Sequence, residues 1–174
     1  MVSTSQIKPA LILQPFISCY ALREFNTGNF SMPRPMHAVH EYFMTFFLKD
    51  KYCDIESTEG VMAGNYSNSL TTIFTKPNGC GYWKGDYKVF CVQFKSNGIF
   101  AIFGIPQRLL LDTIFSLDTF LGSDNQILTE QFADCKTIQQ MGEIMNSYLT
   151  KKLIIHKHKA HTMTMACLAG EILK

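Results

Sequence analysis

Two histidines and a carboxylate stand close together in His37-Ala38-Val39-His40-Glu41. Imidazole and carboxylate are the usual holders of divalent metals. The spacing works against a shared ion, because on a strand positions 37 and 40 point to opposite faces, and no helical His/Glu metal motif is present. A ligand-contacting role for His40 needs no such geometry. A second imidazole group, His156, His158 and His161, falls in the stretch 151–161, which carries four Lys and three His and no acid. On a helix His158 and His161 share a face, but a solvated basic helix end accounts for the pattern without a metal. No metal site and no cofactor is expected.

Covalent catalysis finds equally little support. There is no Gly-x-Ser-x-Gly elbow, no Walker loop and no Gly-x-Gly-x-x-Gly. Gly79-Cys80-Gly81 exposes a thiol between glycines, but a hairpin turn explains both glycines, and a reactive thiol needs an electropositive setting as well. The chain is not expected to be an enzyme. Tyr42, Tyr82, Trp83 and Gln93 are of a different kind. With His40 they are the residue types that line small-molecule pockets, an apolar wall with a few placed polar groups.

Elements that would position these residues change character near residue 96. Before it, runs at 17–22, 41–48, 60–63, 71–74, 79–83 and 89–94 are rich in β-branched and aromatic residues and read as strands. Lys76-Pro77-Asn78-Gly79, Lys84-Gly85-Asp86 and Gly64-Asn65 read as the breaks between them. Tyr42 to Leu48 is apolar on both faces, as in a central strand. In 89–94, Val89, Cys91 and Gln93 share one face, so Gln93 is polar on a face that looks inward. Many short strands with regular turns indicate a sandwich, jelly roll or small barrel.

After residue 96 the period becomes helical. Ile99 to Phe103 closes on Gly104, a glycine C-cap, and Pro106 suits the first turn of the next helix. The stretch 137–152 sets Ile138, Met141, Ile144, Met145, Tyr148 and Leu149 on one stripe, and 161–173 sets Met165, Leu168, Ala169 and Ile172 on another. The expected class is α+β: a β-rich unit over 1–96 and a helical unit over 97–174, together one compact domain.

Composition is consistent with this. The chain of 174 residues is 47% hydrophobic and 17% charged, with a net charge of +2, enough for a real core and too weakly basic for the whole chain to bind nucleic acid. Six cysteines form no CxxC pair and no zinc spacing, so free thiols in a reducing cytoplasm are expected. The apolar stretch 9–22 is broken by Gln14 and Pro15 and does not read as a signal peptide, and no run has the length of a membrane span.

One succession of landmarks is more specific: Phe94-Lys95-Ser96-Asn97-Gly98, Phe103-Gly104-Ile105-Pro106, Asp112, Leu117, Phe120-Leu121-Gly122, Leu128 and the long helix that follows. It resembles the N-terminal domain of a group of AraC-type bacterial transcription regulators. There a last strand ends in a Phe-x-Pro-x-Gly turn, followed by a Leu-x-Gly-x-Pro segment, a Leu-Asp-x-Leu/Phe-Gly stretch and a helix leading to paired helix-turn-helix units. The likeness covers residues 10–155 and is tightest from 89 to 135. Ser96 departs from it where the group often has Pro, as do His37 and His40 where Pro and Gly are common.

The resemblance implies a cupin-like jelly roll or small barrel that senses a small-molecule effector. It also implies a homodimer formed through the helical unit, with Met141, Met145, Tyr148 and Leu149 at the contact. DNA would be reached only through a C-terminal half missing from this sequence, of whose first helix 161–174 reads as the start. Two alternatives stand beside it. One is a small cupin-type metal enzyme using His37, His40 or Glu41; the other is a ligand-free interaction module.

Overall fold

Alternation along the sequence becomes two faces of one sheet. The structure, a computed structural model, describes residues 2–49, 53–56, 64–77 and 79–172. In chain order the strands are β1 (Val2–Ile7), β2 (Ile17–Asn26), β3 (Met32–Pro35), β4 (Tyr42–Lys49), β5 (Cys53–Glu56), β6 (Gly64–Tyr66), β7 (Ser69–Thr71), β8 (Cys80–Trp83), β9 (Asp86–Phe94) and β10 (Ile114–Ser116). The helices are α1 (Gly98–Phe103), α2 (Leu117–Leu121), α3 (Ser123–Ala133) and α4 (Ile138–Ile172). Six strands pair in the order β1-β2-β9-β4-β7-β10, and four in the order β3-β8-β5-β6. The ladders are antiparallel and neither sheet closes on itself. The class is α+β.

The doubly apolar run at 41–48 became β4, a central strand between β9 and β7. Gly85 turns the chain between β8 and β9 at φ 130, a conformation open to glycine at little cost. Gly79 also has positive φ, while Asn78 and the strand expected at 60–63 lie outside the described residues. Other expectations need correction. Gly64-Asn65, read as a break, belongs to β6. The run 71–74 pairs as a strand only up to Thr71, with isolated bridges at Ile73 and Phe74.

β1 and β3 escaped the pattern for physical reasons. β1 lies at the edge of the large sheet, exposed along most of its length, so its Ser-Thr-Ser-Gln centre carries no apolar alternation. β3 holds Pro33 and Pro35 and is an edge strand of the small sheet, a place that tolerates a missing N–H.

Helices cover one face of the large sheet. Tyr20, Tyr42, Met44, Phe46, Phe90, Val92 and Phe94 are fully buried there against Ile99 and Ile102 of α1, Leu128 and Phe132 of α3, and a stripe of α4. Phe46 meets Phe132 edge-on at 5.1 Å, and Phe90 lies 4.9 Å from the same ring. The compositional boundary at residue 96 is therefore not a boundary of the core. β10, from the helical part, pairs with β7 and extends the large sheet.

α4 is a single helix of 35 residues where two segments were expected, about 50 Å long at 1.5 Å per residue. The side chains expected to form a stripe at Met165, Leu168 and Ile172 lie outside the described residues. Earlier in α4, Ile138, Met141, Met145, Leu149 and Leu153 are buried in the chain's own core, each worth roughly 1.5–3 kcal/mol against exposure. That corrects the dimer assignment. Met141, Met145 and Leu149 have no surface left for a second chain, and of the four only Tyr148 is partly exposed.

Polar contacts fix where the helices sit. Asn146 of α4 accepts hydrogen bonds from the Tyr20 hydroxyl at 2.8 Å and the Ala10 amide at 2.9 Å. Asn68, just before β7, donates to Asn125 and Thr129 of α3 and accepts from the Phe47 amide. Gly98 allows α1 its approach, since a Cβ there would stand 2.2 Å from the Phe16 carbonyl oxygen. Gly104 closes α1 in the left-handed conformation, as expected. Among the described residues no helix is long and apolar enough to cross a membrane.

Candidate functional site between the sheets

The opposite face of the large sheet looks onto the small sheet and is not filled. Between them lies a cavity of about 330 Å³, within the ~300–1,000 Å³ typical of small-molecule sites. Its floor is the second set of alternating residues: Arg23 and Phe25 of β2, Phe43, Thr45 and Phe47 of β4, Val89 and Cys91 of β9. Ser69, Thr71 and Ile114 continue the floor through β7 and β10. Arg34 and Pro35 of β3 and Gly81 and Trp83 of β8 form the roof, and Met36, His37, Val39 and Phe74 complete the wall.

An aromatic cluster closes one side. Trp83 stacks on Phe47 at 5.4 Å, lies 5.3 Å from Phe25 in a tilted arrangement, and meets Tyr87 edge-on at 4.9 Å. These rings hold the only Trp of the chain in one orientation against the cavity. Near β9, the Thr45 hydroxyl contacts the Cys91 sulfur at 3.9 Å. Burial pushes the Cys91 thiol up to about 11, opposed by that contact and by the positive charges of Arg23 and Arg34.

Among the described residues, the cavity lining holds the guanidinium groups of Arg23 and Arg34 and the His37 imidazole, and no carboxylate. Arg23 is half-buried and makes no side-chain hydrogen bond or ion pair among the described residues. Guanidinium groups in partly apolar surroundings are ordinarily paired, so Arg23 presents unmet donors to the space in front of it.

Of the five residues expected at a ligand site, the structure brings one to this cavity: Trp83. Tyr42 is fully buried on the helix face of β4, out of phase with Phe43 and Thr45. Tyr82 alternates away from its cavity-lining neighbours Gly81 and Trp83. His40 is exposed and lines nothing, whereas His37 does line the wall. Gln93 shares the face of Cys91 but is held beyond the cavity, donating to Glu41 and accepting from the Cys19 thiol at 3.4 Å, while Ser18 donates to the same Glu41 at 2.9 Å. Burial, followed by the Glu41 charge, pushes the Cys19 thiol up.

Arg23 and Arg34 were missed. A signal for Arg23 existed, since it alternates with Ala21 and Phe25 on what is otherwise an apolar face. Arg34 sits in a Pro-rich strand with no readable alternation. Among the described residues no three metal-binding side chains come together, and Cys19, Cys80, Cys91 and Cys135 are free thiols.

A second concavity, about 480 Å³, runs between α3 and α4 and is lined by Ile127, Ile144, Tyr148 and Lys151 among others. Though wider, it is a surface furrow, and one of its two carboxylates, Asp124, is already engaged. Asp124 accepts from Lys152 at 2.8 Å and from the Tyr148 hydroxyl at 3.1 Å. The inter-sheet cavity is the better candidate because Arg23, half-buried in its wall, has no side-chain partner among the described residues. No family model matches the chain, and no curated protein or solved structure matches it either.

Proposed function

We propose that this chain is the effector-sensing domain of an AraC-type transcription regulator, with a jelly-roll-like pair of sheets enclosing the effector. The observation that carries this reading is the double role of β2. Its Arg23 and Phe25 line the cavity, while its Tyr20, on the other face, bonds Asn146 of α4. A ligand that pulls on the cavity face of β2 therefore acts on the strand that seats the long helix. Such coupling requires that the ligand bind one placement of α4 better than another.

In this reading the protein is a non-enzymatic, cytoplasmic switch. It works as a homodimer, and it controls DNA through helix-turn-helix units outside these 174 residues. Pairing uses surface that the core leaves over, notably Ile127, Ile144 and Tyr148 at the α3–α4 furrow and the exposed Ile154 and Ile155. Two-fold pairing is the commonest assembly of soluble chains.

Ligand-induced change at Trp83 and at α4 tests the proposal together. Small carboxylates, alcohols and sugars are screened by Trp83 fluorescence and thermal shift, and a binder is then followed by hydrogen exchange. The expected result is a saturable fluorescence change accompanied by altered protection around Asn146. A ligand that fills the cavity and leaves α4 protection unchanged counts against a sensing role.

A further inference from the structure

We infer that the inter-sheet cavity is built for a small monocarboxylate with an aromatic or cyclic body, its carboxylate held by Arg23 and its ring placed against Phe43, Phe47 and Trp83. This rests on the sensing reading only in using the same cavity as the effector site.

The charge balance selects an anion. Arg23 is half-buried and has no side-chain partner among the described residues, Arg34 adds a second guanidinium from the opposite wall, and none of the described lining residues is an acid. A neutral ligand would leave Arg23 less solvated than in the empty cavity and would give nothing in return for its charge. A carboxylate matches the fork of guanidinium donors in a planar, two-point contact. Apart from the exposed His37 at the wall, the remaining polar lining (Thr45, Ser69 and Thr71) is hydroxyl-bearing and uncharged, which suits one anionic group better than two.

The walls select the rest of the molecule. Phe43 is half-buried and lines the cavity, and Trp83 is fixed by Phe47, Phe25 and Tyr87. Rings on a rigid aromatic wall gain from offset or edge contacts beyond burial alone. At about 330 Å³ the space is near the small end for ligand sites, which fits a one-ring acid with a short chain better than a sugar phosphate or a nucleotide.

Phenylbutyrate, its neutral counterpart phenylbutanol, and acetate are the probes. Trp83 fluorescence and isothermal titration calorimetry on the full chain give the affinities. Phenylbutyrate is expected to bind saturably and about tenfold or more tightly than phenylbutanol, the effect of one charge-assisted contact, with acetate far weaker than either. Arg23→Gln should remove the preference for the acid without weakening phenylbutanol binding, whereas Arg23→Lys should keep part of it. Added salt should weaken phenylbutyrate alone. Should Arg23→Gln not fold, Arg23→Lys and the salt dependence still decide the matter.

Equal affinity for acid and alcohol, or a preference that survives Arg23→Gln, overturns the inference while leaving the cavity a ligand site. Binding of neither probe to the folded wild type overturns it as well. Tight, Arg23-dependent binding without any change in α4 protection upholds the inference and sinks the sensing role.

Discussion

The large sheet has two faces made by the same strands, and they have been put to different uses. On the helix side Tyr20, Met44, Phe46, Phe90, Val92 and Phe94 reach complete burial and interlock with three helices. On the other side, among the described residues, Phe25, Phe47, Tyr87 and Val89 form a small buried cluster, beside half-open Phe43, Thr45 and Arg23. One face supplies stability and the other keeps room. Since neighbouring residues of one strand serve opposite faces, single substitutions one position apart separate the two uses.

The pair Phe46 and Phe43 gives the largest contrast. Phe46 lies in the helix-side core against Phe90 and Phe132, and Phe46→Ala is expected to cost about 3–5 kcal/mol in chemical denaturation. Phe43 is half-buried beside a space that already exists, so Phe43→Ala creates little new cavity and should cost about 1–2 kcal/mol. Equal losses would mean that the cavity side is packed as tightly as the core, and the division between the faces would fail.

Thiol chemistry sharpens the same division from the cavity side. With its thiol pushed up to about 11, Cys91 is ionised in roughly one molecule in a thousand near pH 8, and only the thiolate reacts. Alkylation of Cys91 should therefore trail that of Cys80, which is only half-buried, by a wide margin. A cavity ligand should slow it further. Peptide mapping after timed alkylation reads this directly, and rapid labelling of Cys91 would show that the cavity floor opens to solvent.

Much of this division was legible in the sequence, and the part that was not has a physical reason. Alternation placed β4 and β9 correctly, because both are central strands whose residues must satisfy two buried surfaces. It could not say which face was helix and which was void. Tyr42 and Phe43 look equally suited to a ligand wall, and only the position of α1, α3 and α4 puts Tyr42 inside the core. The α4 stripe is a stripe as expected, but its Met141, Met145 and Leu149 face the chain's own core, since a buried seam and a dimer seam share the same spacing. Arg34 lay beyond reach, because its position opposite the large sheet depends on the β3–β8 pairing between residues distant in sequence.

Acid separates a third region, the α3–α4 furrow, from both faces. The hydrogen bond from Lys152, followed by that from Tyr148, holds the Asp124 carboxyl below the usual carboxylate range despite partial burial. Its folded-state pKa is thus depressed. The stabilisation is present above the ordinary aspartate value and is lost as pH falls through the lower folded value. Asp124 and Lys152 are about a third exposed, so the contribution belongs to the ~0–1 kcal/mol of surface pairs. Asp124→Asn should flatten the acid limb of the stability profile slightly and leave cavity binding untouched. An unaltered acid limb would show that the tie to α4 does not contribute.

An effect of similarly small size but opposite signs concerns two tyrosines on the same helix-facing surface. The Tyr20 hydroxyl donates to Asn146 at 2.8 Å, and burial pushes its phenol well above the ordinary range. The Tyr42 hydroxyl is buried with no hydrogen-bond partner among the described residues, an arrangement that costs about 1–3 kcal/mol relative to a solvated hydroxyl. Removing each oxygen should therefore act with opposite sign. Tyr20→Phe loses a bond that locates α4 and should destabilise by about 1 kcal/mol. Tyr42→Phe removes an unmet polar group at the expense of a void the size of one oxygen atom, so it should be neutral or stabilising by up to about 1 kcal/mol. Urea denaturation resolves differences of this size when the slope is unchanged. A loss of about 1 kcal/mol in Tyr42→Phe would mean that the hydroxyl has found a partner, and a simultaneous loss of phenylbutyrate affinity would place that partner on the cavity side of the sheet, merging the two faces that the other substitutions are meant to keep apart.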